Sequence, residues 1–105
     1  MLPRGEQMRI IARRTLNDFW EAGHADAEQP LKAWFAEATR ANWQSMADVK
    51  ARYRHASVID GERVVFNIGG NKYRLVAKVW FAGRAVWVKF VGTHREYDEL
   101  DVGSL

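Results

Sequence analysis

Two glycine-bearing breaks inside a β-rich stretch constrain this chain more than any other feature. From Arg63 to Val91, Val, Phe, Tyr and Trp alternate with polar residues at the two-residue period of a strand. The breaks at Gly69-Gly70 and Gly83-Arg84 predict three strands, roughly Arg63 to Ile68, Lys72 to Phe81 and Ala85 to Val91, joined by two-residue hairpin loops. Loops of that length fix the register. They place Asn67 opposite Lys72, Val65 opposite Arg74, Lys78 opposite Lys89, Trp80 opposite Trp87 and Arg74 opposite Thr93. One face then carries Val64, Phe66, Ile68, Tyr73, Leu75, Ala77, Val79, Phe81, Val86, Val88 and Phe90, and is the expected core. The other carries Asn67, Lys72, Arg74, Lys78, Lys89 and Thr93, with Val65, Val76, Trp80 and Trp87 among them.

The N-terminal half reads as a short strand followed by helices. Met8 to Ala12 has strand character. Thr15 is the expected cap of a helix from Leu16 to about Ala22, stopped by Gly23. Pro30 suits the first turn of a second helix, in which Leu31, Trp34, Phe35 and Ala38 recur at helical spacing. Ser45 is positioned to cap a third, Met46 to Arg52. A last short helix is expected from His94 or Arg95, with Thr93 as cap and Glu96 three residues on, the pattern of a capping box. The sum is an α+β domain: a small antiparallel sheet with N-terminal helices on one face and a short C-terminal helix. Residues 8–105 are expected to form this single domain, and 1–7 a disordered or non-native extension.

Charge divides the chain. Ten Lys or Arg lie between Lys50 and Arg95 against only Asp60 and Glu62, whereas Leu16 to Val49 holds two basic residues and six acidic ones. A net charge of +3 therefore hides one strongly cationic half, which suits a polyanionic partner. Apolar content of 48%, with five Trp and five Phe, argues for a folded globule. There is no cysteine, no apolar run approaching the ~20 residues of a membrane span, and no apolar stretch of a secretory signal near the start. A cytoplasmic protein is expected. His24, His55 and His94 lie far apart with no ligand-spaced partner, and Gly69-Gly70 is not part of a phosphate loop, so neither a metal nor another cofactor is expected.

The cationic strand face carries the chemical signal. Like charges facing each other on neighbouring strands destabilise a sheet, so Lys78 against Lys89 with Arg74 nearby is a cost that a bound anion offsets. His94 and Tyr97, three apart, share one side of the last helix, where an imidazole can act as acid or base near neutral pH. Asn67, Asn71, Lys72, Lys78, Arg95, Lys50 and Arg52 are the surrounding candidates for RNA contact. The plain alternative is a solvated outer sheet face, with the Trp pair packed under a loop or helix. His24 and His55 read as surface residues.

With these residues in view, the chain resembles the HigB family of bacterial type II toxins, within the wider RelE-like group of ribosome-dependent mRNA interferases. The likeness runs from about Met8 to Asp101. It rests on VVFNIGGNKYRLV (Val64 to Val76), KFVGTHREYDEL (Lys89 to Leu100) and SMADVKARY (Ser45 to Tyr53). It implies a RelE-like fold and a metal-free endoribonuclease that cleaves mRNA in the ribosomal A site, in contact with 16S rRNA. It also implies a HigA-like helix-turn-helix antitoxin as partner and no membrane. Arg74 matches the family's basic residue in the YRL strand, His94 its basic residue at the end of the last strand, and Tyr97 the following Tyr. With Lys89, these are the expected catalytic residues. A non-catalytic basic RNA- or DNA-binding module, and a domain binding an acidic protein segment, are the competing expectations.

Overall fold

A computed structural model describes residues 7–105. The expected extension at 1–7 lies outside the described residues apart from Gln7. The elements are β1 (Arg9–Ile11), α1 (Arg13–Glu21), α2 (Glu28–Arg40), α3 (Met46–Arg52), β2 (Ser57–Val58), β3 (Arg63–Ile68), β4 (Tyr73–Trp80), β5 (Ala85–Thr93) and α4 (His94–Asp98), with short 3₁₀ turns at Ala25–Ala27 and Val102–Ser104. They form an α+β fold with a five-stranded sheet in the order β1-β5-β4-β3-β2.

The helices form where apolar spacing and caps dictate. Leu31, Trp34 and Ala38 of α2 fall on one stripe and are fully buried, as are Leu16 of α1 and Val49 of α3. Ser45 caps α3 by accepting a hydrogen bond from the Asp48 amide. Phe66 of β3 sits at the centre of the core, with Tyr53, Trp34 and Trp43 ring centroids at 5.0, 5.4 and 6.2 Å. No described helix is long and apolar enough to cross a membrane.

Several expectations are corrected. Helix α1 starts three residues early, at Arg13, and Ala12 precedes it with no side-chain cap, so Thr15 lies inside the helix rather than capping it. The sheet is not wholly antiparallel: β1 runs parallel to β5, pairing Ile10 with Val86, with three helices and strands β2, β3 and β4 intervening before it meets its neighbour. Strand β2, which was not expected, adds an edge beside β3.

Both hairpin loops span four residues rather than two. Gly69 and Gly70 each take positive φ, 63° and 71°, and the turn continues through Asn71 and Lys72 before β4 begins. Asn67 therefore faces Arg74, and Ile68 faces Tyr73. At the second turn Arg84 adopts φ 53° and Trp80 pairs with Ala85, so Trp80 and Trp87 are diagonal neighbours rather than partners. Lys78 faces Trp87, not Lys89. Each register moves by two, which preserves the face of every residue near the turns.

A β-bulge then changes the far half of β5. Ala77 pairs with Val88 but Val76 pairs with Phe90, leaving Lys89 as the extra residue. Beyond it the faces exchange. Phe90 leaves the expected core and joins the outer face, while Val91 packs inward. The sequence shows the reason: Phe90 and Val91 are consecutive apolar residues, and only an unpaired residue lets Val88 and Val91 both reach the core while Lys89 stays in solvent.

Candidate nucleic-acid interface

Arg74 is the side chain around which the outer face is organised. It stands opposite Asn67 on one side and Gly92 on the other, not opposite Thr93 as the two-residue loops implied. It is only 8% exposed. Its Nη1 donates to the carbonyls of Asn71 and Tyr73 at 3.1 and 3.2 Å, and its Nη2 donates to Asn71 Oδ1 at 2.8 Å. The four-residue turn thus folds Asn71 back as a clamp. Among the described residues no carboxylate pairs with Arg74, so a nearly buried guanidinium is held by neutral acceptors alone. A buried cation without a counter-ion is costly.

The row continues across the sheet. Ser57 pairs with Val65, and two residues further along that pairing brings His55 level with Asn67, whose amide donates to the His55 carbonyl at 3.5 Å. A cleft of about 650 Å³ opens beside this row, lined by Arg52, Tyr53, Arg54, His55, Asn67 and Asn71 among others. His55, exposed as expected, and Arg54 line the cleft although neither was among the candidates for RNA contact. Their signal was present in the basic run Lys50 to His55, but only β2 pairing brings that run alongside Asn67.

Gly92 completes the row at the other side. Phe90 folds over it so closely that a Cβ at Gly92 would collide with the ring. Two residues later β5 gives way to α4. Thr93 Oγ1 accepts from the Glu96 amide at 3.1 Å, and Glu96 Oε1 accepts from the Thr93 amide at 2.8 Å, a complete capping box. The amide of Thr93 holds the Glu96 carboxyl below its usual range. This cap makes His94 the first helical residue. Its Nε2 lies 3.5 Å from Asp98 Oδ1, one turn on, and both side chains are well exposed. Tyr97 is half-buried, and Arg95 and Lys89 are exposed.

Other cations named from the sequence have structural partners. Lys72 ion-pairs with Asp26 in the 3₁₀ turn after α1, and the Tyr73 hydroxyl donates to the same carboxylate. Lys72 is thus drawn to the helices rather than standing free on the basic face. Those two donors hold the Asp26 carboxyl below its ordinary range, while the same carboxylate raises the Lys72 ammonium and the Tyr73 phenol. His24 stacks on Phe19 at 4.2 Å and meets the Tyr73 ring edge-on, so it packs rather than standing free. Lys50 donates to the carbonyls of Arg54 and Ala56, bracing the cleft wall. Arg52 pairs with Glu37 at 2.5 Å, and Glu37 also accepts from the Tyr53 hydroxyl at 2.7 Å. Burial and that carboxylate push the Tyr53 phenol up. Lys78 lies 3.9 Å from Glu62, a loose pair.

Comparison with known proteins fits this arrangement to a family. The chain is 50% identical over 34 residues to the mRNA interferase toxin HigB of Escherichia coli (strain K12), and equally to the mRNA interferase HigB of Escherichia coli O157:H7 and of Shigella flexneri. Each match covers 32% of this chain and 33% of the relative, so the aligned part is about a third of either protein. The family's own sequence pattern extends further, matching residues 27–100 and so taking in α2, α3, the row around Arg74 and α4. On that match the chain belongs to the HigB_toxin family, described as the RelE-like toxic component of a toxin–antitoxin system.

Proposed function

We propose that this protein is the toxin of a toxin–antitoxin pair and acts as an endoribonuclease on mRNA, inhibiting translation. The observation that carries the reading is Arg74, a nearly buried guanidinium with neutral partners only, held by Asn71 and paired across the sheet with Asn67, both of which line a basic cleft. The family and the names of the relatives support it.

The chemistry requires little from the protein. RNA carries its own nucleophile: the 2′-hydroxyl attacks the adjacent phosphorus, and the bond to the 5′-oxygen breaks. A base takes the hydroxyl proton and an acid returns one to the leaving oxygen. Arg74 neutralises the charge that builds on the non-bridging oxygens, and Lys89, the exposed bulge residue of the neighbouring strand, adds a second cation. His94 serves in proton transfer, with Asp98 positioned to orient its ring, and Tyr97 steadies the phosphate or shares the proton. Asn67, Asn71, Lys78 and Arg95 contact the RNA on either side. No metal or other cofactor is assigned a step.

Among the described residues no carboxylate pairs with Arg74, and Glu96, whose Oε1 approaches Gly92, is held in the Thr93 cap, so the isolated site is chemically sparse. The ribosome completes it: mRNA is presented in the A site, and 16S rRNA supplies groups the chain does not. A HigA-like helix-turn-helix antitoxin neutralises the toxin. Purified protein with translating ribosomes tests the reading by mapping 5′ ends of mRNA. Cleavage by the wild type and its loss with Arg74→Ala and His94→Ala are expected. Tight RNA binding with no cleavage and no growth arrest on expression would leave a non-catalytic RNA- or DNA-binding module.

A further inference from the structure

At the opposite end of the same sheet face stands a second surface that the cleavage site does not use. Strand β4 is regular through its pairing with β3, so Arg74, Val76, Lys78 and Trp80 all point to the outer face. Trp80 is 57% exposed, far more than a large aromatic in a core or under a loop. It lies against Gly83, where a Cβ would collide with its ring, so the turn backs the indole from beneath. Beside it, Trp87 has its ring centroid 6.4 Å away and its plane tilted by only 25°. Rings in direct face-to-face contact lie about 3.5–4 Å apart. At 6.4 Å and 25° the two indoles form a loose, roughly parallel pair rather than a tight face-to-face stack. Around this pair are Lys78, level with Trp87, and exposed Arg9, level with Ala85 beside Trp80.

We infer that Trp80 and Trp87 form a stacking platform for an unpaired nucleobase of single-stranded RNA running along β4 from the Arg74 site. The inference rests on the RNA-directed reading above and adds to it a second contact. Six residues of strand separate Arg74 from Trp80, a rise of about 20 Å, which a few nucleotides of extended chain span. An exposed aromatic face bordered by cations is what sequence-tolerant single-strand binding uses, since every base has a π-face and every linkage a phosphate. An acidic or apolar protein segment is the competing occupant. The exposed indole of a roughly parallel pair and the cationic border within a cationic half favour RNA.

The test is binding of the full chain to a single-stranded 2′-O-methyl oligoadenylate, which lacks the nucleophile and cannot be cut, followed by fluorescence anisotropy. Trp80→Ala should weaken binding by on the order of tenfold, while Trp80→Phe keeps most of it. Against a dinucleotide too short to reach from Arg74, Trp80→Ala and wild type should bind alike. Equal affinity of Trp80→Ala and wild type for the long oligomer overturns the proposal. So does normal RNA binding by Trp80→Ala with lost binding to the antitoxin, which would make the platform a protein contact. A wild type that binds the oligomer through Trp80 yet never cuts cleavable RNA removes the nuclease reading and leaves the platform standing.

Discussion

The outer face presents one local device twice, with opposite results. At Gly92 the ring of Phe90 folds onto a glycine; at Gly83 the ring of Trp80 does the same. Gly92 lies level with Arg74 in the middle of the sheet, with Val65 and Val76 buried near by, and the cation there is 8% exposed. Gly83 lies in a turn at the sheet's end, and the ring above it is 57% exposed. The same aromatic-on-glycine contact stands beside a nearly buried cation at one end and props up an open surface at the other. Neighbours on both sides decide which.

Replacing Arg74 should have the largest effect. Arg74→Ala is expected to lower mRNA cleavage by roughly 10²–10³-fold, the range for losing one positioned charge donor, and His94→Ala by a comparable factor. Arg74→Lys should restore little, because a point charge cannot make the three donor contacts of the fork to Asn71 and Tyr73. Cleavage assays at saturating substrate decide, and wild-type rates from these variants would dissolve the distinction between the two ends.

Glycine substitutions sharpen the comparison. Gly92→Ala should displace Phe90 and disturb Arg74, lowering cleavage. Gly83→Ala should displace Trp80 and weaken RNA binding by several-fold, approaching Trp80→Ala, which stacking energies place near tenfold, while leaving the rate on bound RNA unchanged. If both glycine variants alter the same step, the ends are not separate.

Thr93→Ala should cost about 1 kcal/mol of stability through loss of the cap, measured by urea unfolding, and should also reduce cleavage because His94 loses its fixed place at the helix start.

The smallest effect concerns pH. Asp26 is depressed, so its contribution is present above its unfolded value of about 3.9 and fades as pH falls through its folded value. Lys72 is raised, so its share is complete below about 10.4 and is lost as pH rises through its folded value. Asp26→Asn should flatten both flanks of a urea-midpoint profile against pH. An unchanged profile would show that the clasp contributes nothing to holding the turn near Arg74.

Much of this was legible in the residues. Period-two alternation located β3, β4 and β5 to within two residues at each end, because a sheet with one buried face must write its core into every second position. The capping box at Thr93 and Glu96 and the cap at Ser45 were readable because they are local, each settled within four residues. Thr15 misled for the same reason. It is a good capping residue, but contacts elsewhere began the helix three residues earlier, at Arg13.

The sequence by itself determined the strands, the helical stripes, the basic half and the capping box that opens α4, since each follows from spacing along the chain. Only tertiary structure decided the bulge at Lys89, the burial of Arg74 without a counter-ion, the capture of Lys72 by Asp26 and the arrival of His55 beside Asn67. Those depend on which distant segments meet across the sheet. No local rule about a residue's neighbours in sequence specifies its neighbours in space.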